Sequence, residues 1–354
     1  MEKITFCIPS KNNLRYLKSS IESIKKNSII EHDIIVYVDM SEDGTEEWLI
    51  QNGIVYLKND TGVPNGIAFG YNRCIEAAKT NLVCMFHADM YMGKGFDTAL
   101  IKYIKPGTVV AGTRIEPPLH PEGQEKIIKA FGMYPEDFDS NAFDNYVVEA
   151  REVYKDKTTK GIFAPWAIYK NDIISIGMHD ENLHSYHEDS DIFNRFILSK
   201  YNIVQTWEGL VYHLTCRGGQ FQDGINEITK DSQFHTMKAN SAKIYIKKWG
   251  SWLQNDEYQY PIMKPVYKKK CILTNVSPQL KEELELWFND GDDIVVEING
   301  KSFIEDDFHN IVNLNQIVKE CAEIGYFELG NLKITINDLT EYQNDLIIYK
   351  KGES

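Results

Sequence analysis

The chain has 354 residues, of which 43% are hydrophobic and 12% aromatic, and its formal net charge at pH 7 is −14. This length is enough for one large hydrophobic core or for two domains. The acidic balance repels nucleic acid and anionic lipid surfaces, so nucleic-acid binding is disfavoured. The lysines between residues 264 and 270 form a short basic run that is typical of a solvated linker.

The cysteines and the apolar runs predict where the protein resides. Its six cysteines show no paired spacing, which suits a reducing compartment better than a disulfide framework. No signal peptide precedes Lys3, and no apolar run approaches the roughly 20 residues of a membrane-spanning helix. We therefore expect a cytoplasmic protein without a transmembrane segment.

Apolar runs and helical periods alternate over the first 115 residues. Near-continuous apolar strands separated by helices indicate an open, mostly parallel α/β sheet that is covered on both faces. Asn12 or Asn13 is expected to cap the first helix. The predicted strands cover residues 4–8, 34–38, 54–57, 82–86 and 109–115, and the predicted helices start at residue 14 and cover 45–51 and 66–79.

The remainder of the chain predicts an insertion, a closing helix and a second domain. The insertion spans about 117–160 and holds predicted helices at 124–131 and 143–154. Further patterns predict a helix at 187–200, a strand ending at 211–213, the closing helix at 234–249, strands at 271–273, 294–298 and 332–336, and helices at 279–288 and 314–324. We expect a first domain over 1–260 and a small α+β module over 266–354.

Polar residues follow three of the predicted strands. Pro9-Ser10, Asp39 and Asp89 each come where an apolar run ends. The carboxyl ends of parallel strands meet at one edge of a sheet, which is where ligands bind in such folds. Three polar positions at one edge therefore predict a binding site there.

Five ordered segments carry a family resemblance. Together they resemble glycosyltransferase family 2, whose members are inverting enzymes of the GT-A fold, and the resemblance extends from about residue 3 to 219. The segments are residues 8–13, residues 38–45, Asn65-Gly66 with Asn72, residues 86–89 in the position of the Asp-x-Asp motif, and residues 187–191 followed by Arg195.

The resemblance implies a role for each matching residue. Asp39 would accept a hydrogen bond from the nucleotide base, with uracil favoured, and Asp189 would be the base that deprotonates the acceptor. Asp89 and His213 would bind a divalent cation. The other implied donor-binding residues are Pro9, Ser10, Asn12, Asn65, Gly66, His87 and Arg217.

The predicted metal site departs from the family pattern at one position. His87 replaces the first aspartate of the Asp-x-Asp motif, a position that in the family often faces the ribose or base. Mixed carboxylate and imidazole ligands suit Mn²⁺ as well as or better than Mg²⁺. The expected cofactor is therefore Mn²⁺ or Mg²⁺.

Several of these residues also have a purely structural interpretation. Asp39 and Asp43 could cap or close the turn into the helix at residue 45, and Ser185-x-x-Glu188 has the form of a capping box. Asp189 is therefore preferred as the base, with Glu188 as the fallback. Trp166 is either a sugar-stacking platform for the acceptor or a core residue. His184 is assigned to an acceptor loop, together with His179 and His187.

The leading hypothesis is an inverting, metal-assisted transferase that moves a sugar from a UDP-sugar to a hydroxyl of a glycan or another acceptor. One alternative is a non-catalytic protein of the same fold that binds nucleotide-sugars or glycans. A sugar nucleotidyltransferase is disfavoured, because residues 8–12 lack the glycine-rich loop of that class. The C-terminal module is expected to recognise an acceptor or to mediate homo-oligomerisation.

Overall fold

The computed structural model describes residues 2–184, 186–214, 232–249 and 253–262, together with five short strands between residues 270 and 335. Backbone contacts divide the chain into two compact units, Met1–Phe234 with Asn255–Pro261 and His235–Gln254 with Ile262–Ser354. Most of the predicted closing helix, observed at Ser232–Trp249, falls in the second unit rather than the first. No helix of the described residues combines the length and the apolar character needed to cross a lipid bilayer.

The first unit begins with alternating strands and helices, as the sequence predicts. The Asp33–Val38 strand, for example, is buried over its last four residues, which matches a strand covered on both faces. Two elements in this stretch, the strand Met90–Met92 and the helix Phe96–Tyr103, were not predicted. The elements are β1 (Ile4–Ser10), α1 (Leu14–Asn27), β2 (Asp33–Val38), α2 (Thr45–Gln51), β3 (Val55–Lys58), α3 (Gly66–Ala77), β4 (Leu82–Met85), β5 (Met90–Met92), α4 (Phe96–Tyr103) and β6 (Thr108–Glu116).

The second half of this unit is less regular. The predicted helices at 143–154 and 187–200 are present. The strand whose end was predicted at 211–213 runs from Asn202 to His213. The elements are β7 (Lys126–Ile128), α5 (Ser140–Val153), β8 (Thr158–Thr159), β9 (Trp166–Tyr169), α6 (Lys170–Ser175), α7 (Glu188–Leu198) and β10 (Asn202–His213).

All ten strands join one sheet in the order β3-β2-β1-β4-β9-β6-β10-β5, with β7 beside β6 and β8 beside β10. Strands β3, β2, β1 and β4 are parallel neighbours, whereas β9 is antiparallel to both β4 and β6. Strand β5 runs antiparallel to β10. The predicted open α/β sheet, mostly parallel in its strand pairs, is confirmed.

One predicted helix is wrong. Residues 124–131 contain the strand β7, which pairs in parallel with β6 and places Lys126 opposite Arg114. A three-residue strand is too short for its side-chain alternation to be distinguished from a helical period. Its pairing partner, rather than its own sequence, fixes it as a strand.

The amphipathic face of α1 packs as predicted, but its cap differs. Leu17, Ile21 and Ile24 are buried in the main core. Asn13 occupies the N-cap position without a side-chain cap bond, and the backbone nitrogen of Leu14 instead donates to Oδ2 of Asp43 at 2.7 Å. Asp43 is therefore a capping residue, in agreement with its structural interpretation.

The second unit holds a five-stranded mixed sheet. Its strands are β11 (Lys270–Thr274), β12 (Asp293–Ile298), β13 (Lys301–Glu305), β14 (Tyr326–Leu329) and β15 (Leu332–Thr335). Their order is β13-β12-β11-β14-β15, and among these described strands only the β11–β12 pair is parallel. The predicted strands at 271–273, 294–298 and 332–336 correspond to β11, β12 and β15, whereas the predicted helices at 279–288 and 314–324 fall outside the described residues.

Candidate active site

Asp39 follows β2 at the carboxyl edge of the sheet and is 5% exposed. Its Oδ1 accepts hydrogen bonds from Nδ2 of Asn59 at 2.6 Å and from the backbone nitrogen of Asn65 at 3.0 Å. Its Oδ2 accepts from the backbone nitrogen of Gly66 at 2.9 Å. The carboxylate thus satisfies amides at the start of α3, which otherwise lack partners. It caps α3, rather than the helix at residue 45 that its structural interpretation named.

The loop that precedes α7 lies against the start of α3. The carbonyl oxygen of His184 accepts from the backbone nitrogen of Ile67 at 2.6 Å, and its Nδ1 lies 3.2 Å from the carbonyl oxygen of Asn65. The side chain of Asn72 holds the same loop, because it donates to the carbonyl oxygen of His179 at 2.9 Å and accepts from the His179 nitrogen at 3.0 Å. His184, assigned to the acceptor from sequence, therefore lies against the predicted nucleotide-side residues.

The other residues predicted to bind the nucleotide lie at the same edge. Ser10 is 5% exposed, and no described residue hydrogen-bonds its Oγ. Asn12 joins two loops, since its nitrogen donates to Ser41 at 2.9 Å and its Oδ1 accepts from the nitrogen of Glu42 at 2.7 Å. Pro9 faces α3 closely enough that a Cβ at Gly70 would lie 2.9 Å from it.

His87, Asp89 and His213 form a cluster whose metal-binding atoms all lie within 4.8 Å of one another. The turn after β4 carries His87 and Asp89, and the β10–β5 pairing places His213 opposite Met90. The Nε2 atom of His213 lies 3.5 Å from Oδ1 of Asp89. Two imidazoles and a carboxylate within reach of one another are a donor set that fits a divalent transition metal such as Mn²⁺.

The two imidazoles of the cluster have pKa values shifted in opposite directions. Burial by itself disfavours a charged His213, but the Asp89 and Glu116 carboxylates outweigh burial and raise the pKa of His213 to about 9. Burial dominates at the other imidazole and lowers the pKa of His87 to about 4. The negative charge that surrounds His213 is also the charge that would attract a cation.

Glu116 ends β6 beside His213 and is 1% exposed. Its Oε1 lies 2.9 Å from Nδ1 of His213 and 3.2 Å from a guanidinium nitrogen of Arg114, and its Oε2 lies 3.0 Å from Nζ of Lys126. Burial raises the pKa of a carboxyl, but Arg114, His213 and Lys126 together hold the pKa of Glu116 well below its ordinary value. Glu116 is therefore charged.

Glu188 and Asp189 form the first turn of α7 and are half-buried. Oδ1 of Asp189 accepts from the backbone nitrogen of Ser190 at 2.6 Å and from its hydroxyl at 3.1 Å. Burial raises the pKa of Asp189, against the opposing effects of Ser190 and of the Arg114 guanidinium. Burial and then the Asp189 charge raise the pKa of Glu188 well above its ordinary value. Ser185, the first residue of the predicted capping box, lies outside the described residues.

The neighbours of the two carboxyls differ. Burial raises the pKa of Asp189 and the Arg114 guanidinium lowers it, whereas burial and then the charge of Glu188 raise the pKa of Tyr71. Arg114 also forms an ion pair with Glu116, which contacts His213. The arginine that lowers the pKa of Asp189 therefore also pairs with the carboxylate beside His213.

Two of the residues that the sequence assigned to the acceptor side, Trp166 and His179, are buried. Trp166 is 2% exposed, lies on β9 and meets Phe193 and Phe196 edge to face, so its assignment to the acceptor is wrong because no sugar can reach its ring. His179 stacks on Tyr71 at 5.2 Å and is also buried, and burial lowers its pKa to about 3. Arg217 lies outside the described residues.

Sequence reasoning missed Asn59, Arg114 and Glu116. Asn59 directly follows β3, and Glu116 ends β6, so the rule that identified Asp39 and Asp89 at strand ends also applies to both. Arg114 and Glu116 share one face of β6 because they are two residues apart in a strand. The predicted strand at 109–115 stopped one residue before Glu116, which concealed the pattern.

The sequence of the first unit matches a known family. Residues 5–150 match the model of glycosyl transferase family 2. Residues 5–150 carry the sequence of a glycosyl transferase family 2 domain. The matched range contains Asp39 and Asp89 of this domain, whereas Asp189 and His213 follow it. No curated protein matches the sequence.

The glycosyltransferase domain is also similar in structure to solved proteins. These include GalNAc-T7 with UDP, GalNAc and Mn²⁺ (13% identity, 73% of this chain and 49% of that chain, TM-score 0.49). Another is S. aureus TarS (12%, 58% and 60%, TM-score 0.39). A third is the mannosyltransferase PcManGT from Pyrobaculum calidifontis with GDP-Man and Mn²⁺ (12%, 70% and 63%, TM-score 0.45). The chain spans from about half to just under two thirds of their lengths.

Proposed function

We propose that the protein is an inverting glycosyltransferase that moves a sugar from a UDP-sugar to an acceptor hydroxyl. The observation that carries this proposal is the cluster of His87, Asp89 and His213 in a chain whose residues 5–150 match glycosyl transferase family 2. Asp39, the proposed partner of the nucleotide base, also follows a strand at the edge of the sheet where ligands bind in such folds, which supports the proposal. Ser10 offers a further buried hydroxyl there.

The three residues of the cluster would hold a divalent cation, and we propose Mn²⁺ ahead of Mg²⁺ because two of the ligands are imidazoles. Bound there, the cation would neutralise the negative charge that develops on the departing diphosphate. His213 would bind through Nε2, because its Nδ1 faces Glu116. His87 moves in this proposal from the donor pocket to the metal, because its ligand atom lies within the cluster.

Asp189 is the proposed general base. It would take the proton of the acceptor hydroxyl while that oxygen bonds to the anomeric carbon and the bond from this carbon to the diphosphate oxygen breaks. One such displacement inverts the anomeric configuration. A raised pKa suits a base that must hold a proton at near-neutral pH. Glu188 is the second choice, because its position in the sequence also fits a capping box.

The bonds that Asp39 already makes support uracil as the donor base. A carboxylate has about four lone-pair positions, and described residues fill three of them, two on Oδ1 and one on Oδ2. One acceptor position remains, which suits the single N–H of uracil or thymine between two carbonyls. Guanine presents two adjacent donors and would need a second free acceptor.

The test uses the full chain with Mn²⁺ and a panel of UDP-, dTDP- and GDP-sugars, and it measures the release of free nucleotide. We expect release from UDP-sugars that stops on chelation and that Asp189→Asn suppresses. Tight UDP binding without release from any donor would favour a non-catalytic binding protein instead. Release only from GDP-sugars would contradict the assignment of Asp39 to uracil.

We also propose that the C-terminal module, residues 266–354, recognises the acceptor or joins copies of the chain. Its mixed five-stranded sheet supports a separately folded unit. Light scattering of the full chain tests self-association, since a monomer mass at all concentrations would leave acceptor recognition as its role. Glycan-array binding of the full chain tests that role.

A further inference from the structure

We infer that Glu116 is a positioning residue that fixes His213 for metal binding, an inference that rests on the proposed metal site. The Oε1 atom of Glu116 lies 2.9 Å from Nδ1 of His213, and Nε2 of the same ring lies 3.5 Å from Oδ1 of Asp89. The imidazole is therefore held between two carboxylates, one on each nitrogen.

The contact determines which nitrogen is available to a cation. A charged carboxylate accepts, so Nδ1 of His213 must carry the hydrogen and donate to Glu116. A cation that displaces the Nε2 proton would then bind the lone pair on Nε2, the nitrogen that faces Asp89. A carboxylate behind a ligating histidine fixes the tautomer and the ring orientation and makes the ligand more basic.

The backbone holds this pair in register. Strands β6 and β10 are parallel neighbours, and Ile115 is opposite Tyr212, so Glu116 and His213 are the next positions along the two strands. The backbone nitrogen of Leu214 donates to the carbonyl oxygen of Asp89 at 3.0 Å, which joins the end of β10 to the turn that carries His87 and Asp89. Glu116, His213 and Asp89 are therefore positioned by one stretch of sheet.

Two cations keep Glu116 charged despite its burial. A buried carboxylate without partners would take up a proton, because desolvation penalises the charged form. Nζ of Lys126 at 3.0 Å and the Arg114 guanidinium at 3.2 Å supply opposite charge. Arg114 also forms an ion pair with Glu125 at 3.3 Å. Glu125 is thus a second carboxylate on the same arginine, and its ion pair is with Arg114 rather than with His213.

Glu125 provides a matched control. It is 5% exposed and pairs with Arg114 as Glu116 does. Among the described residues, its hydrogen-bond and ion-pair partners are Arg114 and Gln205, and neither belongs to the cluster of His87, Asp89 and His213. If the network served stability alone, Glu116→Gln and Glu125→Gln would act alike on metal binding. A positioning role for Glu116 predicts that only the first substitution acts.

The experiment measures Mn²⁺ affinity of the full chain in the presence of UDP, by the electron paramagnetic resonance signal of free Mn²⁺. We expect Glu116→Gln to weaken Mn²⁺ binding by about 10–100-fold and Glu125→Gln to leave it within about twofold. In a His213→Ala background, Glu116→Gln should have little further effect, because Glu116 acts through His213. Pulsed measurements should also show a changed nitrogen coupling from the His213 ring.

Unchanged Mn²⁺ affinity in a folded Glu116→Gln variant would overturn the inference, as would an equal loss in the His213→Ala background. If Glu116→Gln does not fold, Glu116→Asp keeps the charge but withdraws it from Nδ1, and unchanged affinity there is equally decisive. Wild-type protein that binds Mn²⁺ but releases no nucleotide would refute the proposed transferase and leave this inference standing. Wild-type protein that binds no Mn²⁺ would refute the metal site and the inference together.

Discussion

The carboxylate of Asp39 accepts a hydrogen bond from the backbone nitrogen of Gly66 at 2.9 Å, across 27 residues of chain. This contact joins the end of β2 to the start of α3. The residue assigned to the nucleotide base is therefore also the cap of the neighbouring helix. Its structural and proposed functional roles are compatible, because the described residues fill three of about four lone-pair positions and leave one for a nucleotide base.

Asp39→Asn should lower both stability and nucleotide affinity. The amide group has one acceptor oxygen in place of two, so at least one of the Asn65 and Gly66 amides loses its partner, at a cost of about 1–3 kcal/mol. We expect UDP affinity, measured by calorimetry, to fall by at least about tenfold. Asp43→Asn is the control, since it leaves one acceptor oxygen for the amides of Leu14 and Thr45 and should lower the melting temperature without weakening UDP binding.

Gly66→Ala should be more destabilising than Gly62→Ala. Both glycines have left-handed backbone, with φ of +82° and +79°, but a Cβ at Gly66 would lie 2.1 Å from the carbonyl oxygen of His184, whereas at Gly62 it would meet nothing within 4 Å. Backbone strain of roughly 1–2 kcal/mol applies to both, and the clash adds roughly 1–3 kcal/mol at Gly66 alone. Equal losses in urea unfolding would show that the His184 loop moves aside freely.

Much of this fold follows from local pattern. The apolar runs of β1, β2 and β4 and the three-to-four residue period of α1 predict those elements within a few residues. Strand β9 could not be found in this way, because it enters the sheet antiparallel between β4 and β6 from distant sequence. Pairing at long range, rather than local propensity, makes residues 166–169 a strand.

The site was predictable where function coincides with a strand end. Asp39, Asp89 and His213 each stand at or just after such an end, and the structure brings the last two within 3.5 Å. Trp166 was misassigned because an aromatic residue has the same sequence appearance in a core as on a sugar platform. The partnership of Glu116 with His213 depends on the register of two strands, which sequence alone does not give.

Asp89→Ala should abolish the Mn²⁺-dependent part of UDP binding. Removal of the carboxylate leaves two imidazoles, which hold a divalent cation more weakly, and the diphosphate then lacks its counter-charge. The measurement is UDP affinity with and without Mn²⁺, and chelation of the wild type should reproduce the variant. Uridine, which has no diphosphate, should bind both proteins equally. A preserved Mn²⁺ effect in the variant would refute the assignment of Asp89.

Asp189→Asn should lower the rate of sugar transfer by about 10²–10⁴-fold and leave the affinity for UDP within about twofold. The amide cannot take a proton from the acceptor, whereas the donor site at Asp39 and Asp89 is unaltered. Single-turnover transfer and UDP titration separate the two quantities. A rate near that of the wild type would move the base elsewhere, with Glu188 the next residue to substitute.

The acid limb of the wild-type rate profile follows from the same residue. Because burial raises the pKa of Asp189, the base holds its proton to higher pH than an ordinary aspartate, whose pKa is about 3.9. The transfer rate should therefore rise with pH through a value above the ordinary aspartate range. A rate that is flat down to the ordinary value would contradict a desolvated base.

Glu188→Gln should stabilise the protein at neutral pH. The folded-state pKa of Glu188 lies above its unfolded value, so the stability that this carboxyl contributes is present below about pH 4 and is lost as the pH rises through the folded pKa. The substitution removes the penalty, and each kcal/mol relieved should raise the melting temperature by about 2–4 °C at pH 7, with a smaller difference at pH 4. Glu47→Gln, also in the first turn of a helix but exposed, should slightly lower it, because that carboxylate favours the helix dipole. A melting temperature that falls in both variants would show that Glu188 stabilises α7 in its charged form.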